Sequence, residues 1–244
     1  FRRVLFRSFT CANFLAYGNN LNVVRTVGSN GFNSVANTTG GSVQVLNSDY
    51  FQYSYLTSNT TTSWGYAMAR YPGIIGNSLA VSVCANTSLF TTWQYASYFT
   101  SAPGTSSYVA GEGGSNDEMH IVVIDVTGQI TGSAGTVLET FPFVSKASDA
   151  VNLFTGQSNW YKQVIFTQSN YIQPGNFAGT NWNQTGVNTA FTQLTSNYYT
   201  QLAGGSDDIG TDASTSAGYA LYSNKELIDI SLVLTGGASI TVQQ

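Results

Sequence analysis

The feature that most constrains this chain is a pair of apolar runs, Met119–Val126 (MHIVVIDV) and Thr136–Ser145 (TVLETFPFVS), separated by the glycine-rich TGQITGSAG. Two strand-length runs on either side of a glycine-rich turn predict a β-hairpin. Both runs are too apolar for a ribbon wetted on one face, so the hairpin must pack on a core. A second run, Ser78–Cys84 (SLAVSVC), alternates and reads as another strand. It follows Tyr71-Pro72-Gly73 and Gly76-Asn77, residue pairs suited to consecutive turns. That stretch could cradle a ligand or serve only as the corner by which the chain enters a sheet; it has neither the glycine spacing of a phosphate loop nor a cationic partner.

The remaining chain divides less sharply. Phe9–Gly28 reads as a short helix, a stop at Gly18-Asn19 with the glycine as a left-handed cap, and a buried strand Leu21–Val27. Ser29–Thr62 reads as hairpins and loops, including SVQVLN and the tyrosine-rich DYFQYSYL. Ser63 is placed to cap a short helix that Tyr71-Pro72 must end. Trp93–Phe99 fits a short helix or an aromatic strand equally well. Ser158 precedes a helix carrying Trp160, Val164 and Ile165 at helical spacing. Pro174–Ser216 reads as long loops around at most one strand or helix, FTQLTSNYYTQL. Ile228–Leu234, ending at Gly236-Gly237, resembles Leu21–Val27, so both are expected in one sheet with a mostly-β insertion between them.

Composition narrows the function classes. Of 244 residues, 42% are hydrophobic, enough for one large core or two modest ones, and 8% are charged, against a usual share of about a quarter. The surface must therefore be rich in hydroxyls, amides and phenols. A formal charge of −4 without a basic stripe argues against direct nucleic-acid binding. The apolar windows are too short for a membrane span. Three of the basic residues lie in Arg2–Ser8 (RRVLFRS), a string whose codons can match a common sequencing-library adapter. Residues 1–8 are accordingly read as an artefact and set outside the fold, which leaves five basic residues against twelve acidic. Cys11 and Cys84 show no CxxC spacing and fit two small buried residues in a reducing compartment.

Candidates for chemistry are few. His120 is the sole histidine, which excludes a histidine-rich zinc site. A dyad of Asp117 or Glu118 with His120 competes with a plain reading in which His120 is exposed at a strand edge beside acidic turn residues; no strained serine or cysteine nucleophile accompanies it. Asp207, Asp208 and Asp212 could offer carboxylates to calcium but lack the EF-hand spacing, so a solvated acidic loop is the expectation. The sequons at Asn37, Asn59, Asn86 and Asn183 are those expected by chance in a chain rich in Asn and Thr. No catalytic, cofactor or metal residue is assigned.

Several blocks in order, FLAYGNNLNVVRTV, ARYPGIIGNSLAVSVC, YFTSAPGTS, NDEMHIVVIDVTGQITGSAGTVLETFPFVSKASDA and YKQVI followed by SNYI, resemble the tail sheath proteins of contractile-tailed bacteriophages. The likeness spans roughly Cys11–Ile172 and resumes at LAGGSDD and IDISLVLTGGA. It implies an α+β chain: part of an inner α/β sheath domain with a split sheet (residues 9–28 and 217–244) carrying a large mostly-β inserted outer domain (29–216). Both ends are expected to be cut short relative to such proteins, without the arms that lend strands to neighbours. The resemblance further implies a non-enzymatic, cofactor-free virion subunit, assembled in the host cytoplasm. Its partners would be itself in stacked hexameric rings, the tail tube protein, and baseplate and tail terminator proteins, with no membrane partner. Two alternatives stand beside it: a β-rich adhesin or carbohydrate-binding module using Trp64, Trp93, Trp160 and Trp182 as platforms, and, third, a hydrolase built on His120.

Overall fold

A computed structural model describes residues 2–56, 63–176, 179–224, 226, 230, 232–234 and 238–243. Along these residues run helices α1 (Arg2–Leu15), α2 (Ser48–Phe51), α3 (Ser107–Gly111), α4 (Tyr161–Gln168), α5 (Asp212–Ala220) and α6 (Ile240–Gln243). The strands are β1 (Ala67–Ala69), β2 (Leu79–Cys84), β3 (Glu118–Asp125), β4 (Thr136–Ser145), β5 (Ile172–Pro174) and β6 (Tyr198–Gln201). The mixed α+β class expected from the sequence is observed. The chain forms two compact units: residues 32–207 make one, and residues 1–31 with 208–244 make the other.

The 32–207 unit is organised by an antiparallel sheet in the order β4-β3-β2-β6, with β1 and β5 paired in a separate two-stranded sheet. The expected hairpin is β3 and β4, and SLAVSVC forms β2. Strand alternation sorts the side chains. Val81, Val83, Met119, Ile121 and Val123 face one buried layer with α4 residues Tyr161, Val164 and Ile165, whereas Ala80, Cys84, Val122 and Ile124 face another with Trp93 and Tyr95. Both faces are covered, which explains why β3 reads as a continuous apolar run. Burial of each Val, Leu or Ile side chain is worth about 1.5–3 kcal/mol, so these two layers dominate the stability of the sheet. At one edge, β6 alternates half-buried and exposed residues, and Tyr198 packs edge-on to Tyr66 with ring centroids 4.6 Å apart.

Several local readings are corrected. DYFQYSYL is not a hairpin: Asn47 accepts the Tyr50 N–H as an N-cap, α2 follows, and Gln52–Leu56 widens into a π-turn that buries Phe51 and Leu56 beside Trp64 and Met68. Ser63 does not open a helix. Ala67–Ala69 is instead a fully buried strand, because Ile172–Pro174 pairs with it and long-range pairing overrides local propensity. The ambiguous aromatic run holds a single 3₁₀ turn at Ala96–Tyr98. The helix after Ser158 begins later than read, at Tyr161, with Ser158 Oγ accepting the Trp160 N–H ahead of it.

In the other unit, α1 runs through the residues set aside as adapter-derived, from Arg2 to Leu15. Gly18 donates to Phe14 O but is not among the glycines with positive φ, so it is no left-handed cap. Leu21–Val27 forms no strand. Among the described residues no strand pairs with it, and Asn22, Val23 and Arg25 are exposed, so its apolar residues are not drawn into a sheet there. Of its expected sheet partner, Ile228–Leu234, positions 228, 229 and 231 lie outside the described residues, as does Gly236-Gly237, and the described positions 230 and 232–234 form no strand. The described chain ends of this unit join at Asp208, whose backbone carbonyl accepts the Gly28 N–H at 3.0 Å, and α5 is closed at its start by a reciprocal Thr211–Ser214 capping box.

Candidate functional site

Of the blocks quoted for the resemblance, ARYPGIIGNSLAVSVC and NDEMHIVVIDVTGQITGSAGTVLETFPFVSKASDA supply the 32–207 unit's sheet strands β2, β3 and β4 and its entry corner. Gly73, at φ 139°, occupies backbone space that favours glycine, and its N–H donates to Phe32 O at 3.0 Å. Ile74–Ser78 then forms a 3₁₀ turn that leads directly into β2. Gly76 is required for a different reason: a Cβ there would lie 2.6 Å from Ser34 Oγ and 2.7 Å from the Ala69 Cβ. Beside it Asn77 works as a clamp. Its Oδ1 accepts from Ser34 Oγ at 2.8 Å and from Gly205 N at 2.9 Å, while Nδ2 donates to Gly205 O at 3.0 Å. This corner holds three chain segments together through backbone and amide groups, and brings no nucleophile or cation to them. Its outward face is apolar, with Tyr71, Ile74 and Ile75 all more than half exposed.

The next residue, Ser78, starts a network that sequence reasoning did not single out. Asp125, at the end of β3, has no exposed surface and accepts hydrogen bonds from Ser78 Oγ, Gly128 N, Ile130 N, Thr131 N and Thr131 Oγ1. Burial pushes its carboxyl up, but the Ser78 hydroxyl and the Thr131 and Ile130 donors outweigh burial and hold it down at about 2. One carboxylate thereby ties the start of β2 to the whole β3–β4 turn. The signal in the sequence was an aspartate ending an apolar strand just before Thr-Gly, a position suited to capture turn amides.

His120 departs from its expectation. It is fully buried in mid-β3, not exposed at a strand edge, because both faces of the sheet are covered. Its Nδ1 accepts the Phe143 N–H at 3.1 Å and its Nε2 bonds Ser101 O at 2.8 Å, so the dyads with Asp117 or Glu118 do not form. Burial pushes the imidazole pKa down. Asp117 instead accepts from Ser106 N and Ser145 Oγ, and Glu118 accepts from Gly104 N, with burial pushing its carboxyl up. Among the described residues, the ring nitrogens meet only the Ser101 carbonyl and the Phe143 amide.

Two buried lysines also escaped the sequence reading. Lys146 donates to Asn116 O at 2.7 Å and lies 5.0 Å from the Trp182 ring centroid; Lys162 lies 5.3 Å from that of Trp160. Burial brings both ammonium groups down to about 8.

The aspartates considered for calcium are each engaged locally. Asp207 Oδ1 accepts from Ile74 N, and Asp212 Oδ2 from Ser239 Oγ. Asp208 accepts from Gly210 N and Asn30 N, bonds that hold its carboxyl below the ordinary range. Among the described residues, no three His, Cys, Asp or Glu side chains gather where they could hold a metal ion. The tryptophan platforms are not formed either: Trp64, Trp93 and Trp182 are buried and Trp160 is half-buried. Of the sequon asparagines, Asn86 caps a 3₁₀ turn and Asn183 accepts from Trp160 Nε1, Asn37 caps another turn, and Asn59 lies outside the described residues. Cys84 is buried, Cys11 half-buried, and both are free thiols. Among the described residues, no helix is long and apolar enough to cross a membrane.

Comparison with known proteins agrees with a site that holds structure together. No family model matches the chain. A curated relative, the tail sheath protein of Salmonella phage ViI, is 32% identical over 126 residues, covering 52% of this chain and 17% of the relative. The resemblance drawn from the spaced sequence blocks is thus shown by a relative of that name, and the chain spans less than a fifth of its length.

Proposed function

We propose that this chain is part of a structural subunit of a contractile phage tail sheath, which assembles as stacked hexameric rings around a tail tube and contracts to drive that tube through the host envelope. The observation that carries the reading is the similarity to the phage ViI tail sheath protein over half of this chain, which supports a structural tail role and a place in the virion. The side chains add support of a different kind. Among the fully buried polar groups, Asp125, His120 and Lys146 are engaged by backbone and hydroxyl partners that fix turns and strands.

On this reading the subunit is not an enzyme and needs no cofactor. Its partners are further copies of itself, the tail tube protein, and the baseplate and tail terminator proteins, and assembly takes place in the host cytoplasm. Residues 29–216 are the outer, inserted domain, most of it the 32–207 unit, and residues 9–28 and 217–244 belong to the inner domain. That assignment is supported by the grouping of residues 1–31 with 208–244. Contraction is then a collective shift between two packings of many subunits. A chain with only 8% charged residues suits such exchange, since parting a buried ion pair leaves uncompensated charge at a cost of about 3–5 kcal/mol.

Immunogold electron microscopy tests the reading. Antibodies raised against the full chain should decorate the outside of the tail along its length on particles from a phage that encodes it. Gold confined to fibres, to the capsid, or absent from intact tails that contain the protein would refute it.

A further inference from the structure

His120 is the chain's one histidine and has no exposed surface. Phe143 N–H donates to Nδ1, so that nitrogen carries no proton; Nε2 therefore carries it and donates to Ser101 O. The neutral ring thus ties two chain segments to the centre of the sheet. Its Phe143 partner is unusual: β4 bulges here, with Pro142 and Phe143 set between the pairs Ile121–Phe141 and Met119–Val144, opposite His120 alone. Phe143 has φ 51°, rare for a non-glycine residue, and Pro142 has no N–H. The imidazole supplies the acceptor that the strand ladder cannot.

The Ser101 carbonyl favours a charged ring, but burial outweighs it. Phe99 stacks on it with centroids 4.2 Å apart, Phe143 meets it edge-on at 4.6 Å, and Phe90 and Trp93 close the enclosure at 5.7 and 6.3 Å. Of the titratable groups facing it, Cys84 stands directly opposite on β2 with its thiol toward Asn86 O, and Tyr95 belongs to the same aromatic layer. Glu118, two residues along β3 on the same face, is held by Gly104 N. From β4, Pro142, Phe143 and Val144 bring no charge. Neither ring nitrogen bonds a carboxylate.

We propose that His120 is an acid-release latch, holding the bulge of edge strand β4 and the Ser101 segment in place only while its ring is neutral. A proton taken from solvent by Nδ1 consumes the lone pair that accepts Phe143 N–H, so two N–H groups then oppose each other. The bulge must move away, and the ring must reach water past Phe99. An open form that protonates near the ordinary histidine value becomes about tenfold more populated for each pH unit below about 6.5, until the closed form itself titrates.

Hydrogen exchange of the full chain, expressed as protection factors at about pH 7.5 and about pH 5, tests this. Protection of the Phe143 amide and of its neighbours in 143–146 should fall at least about tenfold in acid while β2 stays protected, and His120→Gln should remove that dependence. If His120→Gln fails to fold, nitrogen-15 NMR of the wild-type ring decides. Nδ1 should be pyridine-like and Nε2 pyrrole-like at neutral pH, and both should become imidazolium together with the loss of Phe143 protection. Acid loosening that persists in His120→Gln, or a ring that titrates while Phe143 stays protected, would overturn the latch.

Discussion

Asp125→Ala is the substitution expected to be felt most widely relative to its size. The carboxylate meets Ser78 Oγ inside the protein, where water cannot replace it, and a lost hydrogen bond to a charged group there costs about 1.5–3 kcal/mol. The amides of Gly128, Ile130 and Thr131 and the Thr131 hydroxyl lie in a partly exposed turn and recover some solvation, so their loss adds less. The total is about 3–5 kcal/mol, at the upper end for a single substitution. Asp125→Asn keeps the size but presents an NH₂ group to donors, and should cost about 2 kcal/mol. Acid dependence gives a second readout. The folded pKa of about 2 lies below the ordinary 3.8, so the stabilisation is complete above the ordinary value and is lost as pH falls through about 2. Asp125→Asn should flatten that limb of the stability curve. Urea denaturation followed by tryptophan fluorescence measures both effects. An Asp125→Ala variant within about 0.5 kcal/mol of wild type, the range of ordinary surface substitutions, would refute the reasoning.

Other consequences follow from the same geometry. Gly76→Val places a Cβ 2.6 Å from Ser34 Oγ and 2.7 Å from the Ala69 Cβ, so overpacking should cost about 1–3 kcal/mol and reduce soluble yield; unchanged thermal stability would show that the corner yields. Lys146 and Lys162 are both held at about 8 by burial, below the ordinary 10.5. Their unfolded forms therefore bind more protons between those values, and stability should rise with pH above about 8, as denaturation at stepped pH would reveal. Calcium should leave the thermal midpoint unmoved, because Asp207, Asp208 and Asp212 are committed to Ile74, Gly210, Asn30 and Ser239; a calcium-dependent rise would contradict that.

What could be read in advance was what depends on local pattern. The β3–β4 hairpin and β2 were legible because apolar runs of strand length end in glycine-rich or polar turns. The corner at Pro72–Asn77 was legible as a bend, although its clamp on Gly205 depends on a segment distant in sequence. Ala67–Ala69 was hidden because three residues carry no period, and only pairing with Ile172–Pro174 makes them a strand. DYFQYSYL misled because its aromatic residues satisfy either period, and the cue missed was Asn47 ahead of Ser48-Asp49, an N-cap followed by an acidic first turn. His120 carried its own warning. A histidine inside MHIVVIDV, a run apolar on both alternating faces, has to be buried whichever face it takes. Lys146 gave no comparable signal, since Trp182 is brought to it by the tertiary fold; Trp160 stands only two residues before Lys162, but nothing local marks that lysine as buried.

The most direct test of the sheath assignment is an electron cryomicroscopy reconstruction of the tail of a phage encoding this chain, in the extended and the contracted state. Each repeating subunit outside the tube should contain density for the four-stranded sheet β4-β3-β2-β6, kept intact as subunits change neighbours. A sheath lattice in which no subunit accommodates that sheet, or one that places the 32–207 unit in a fibre or the capsid, would contradict it.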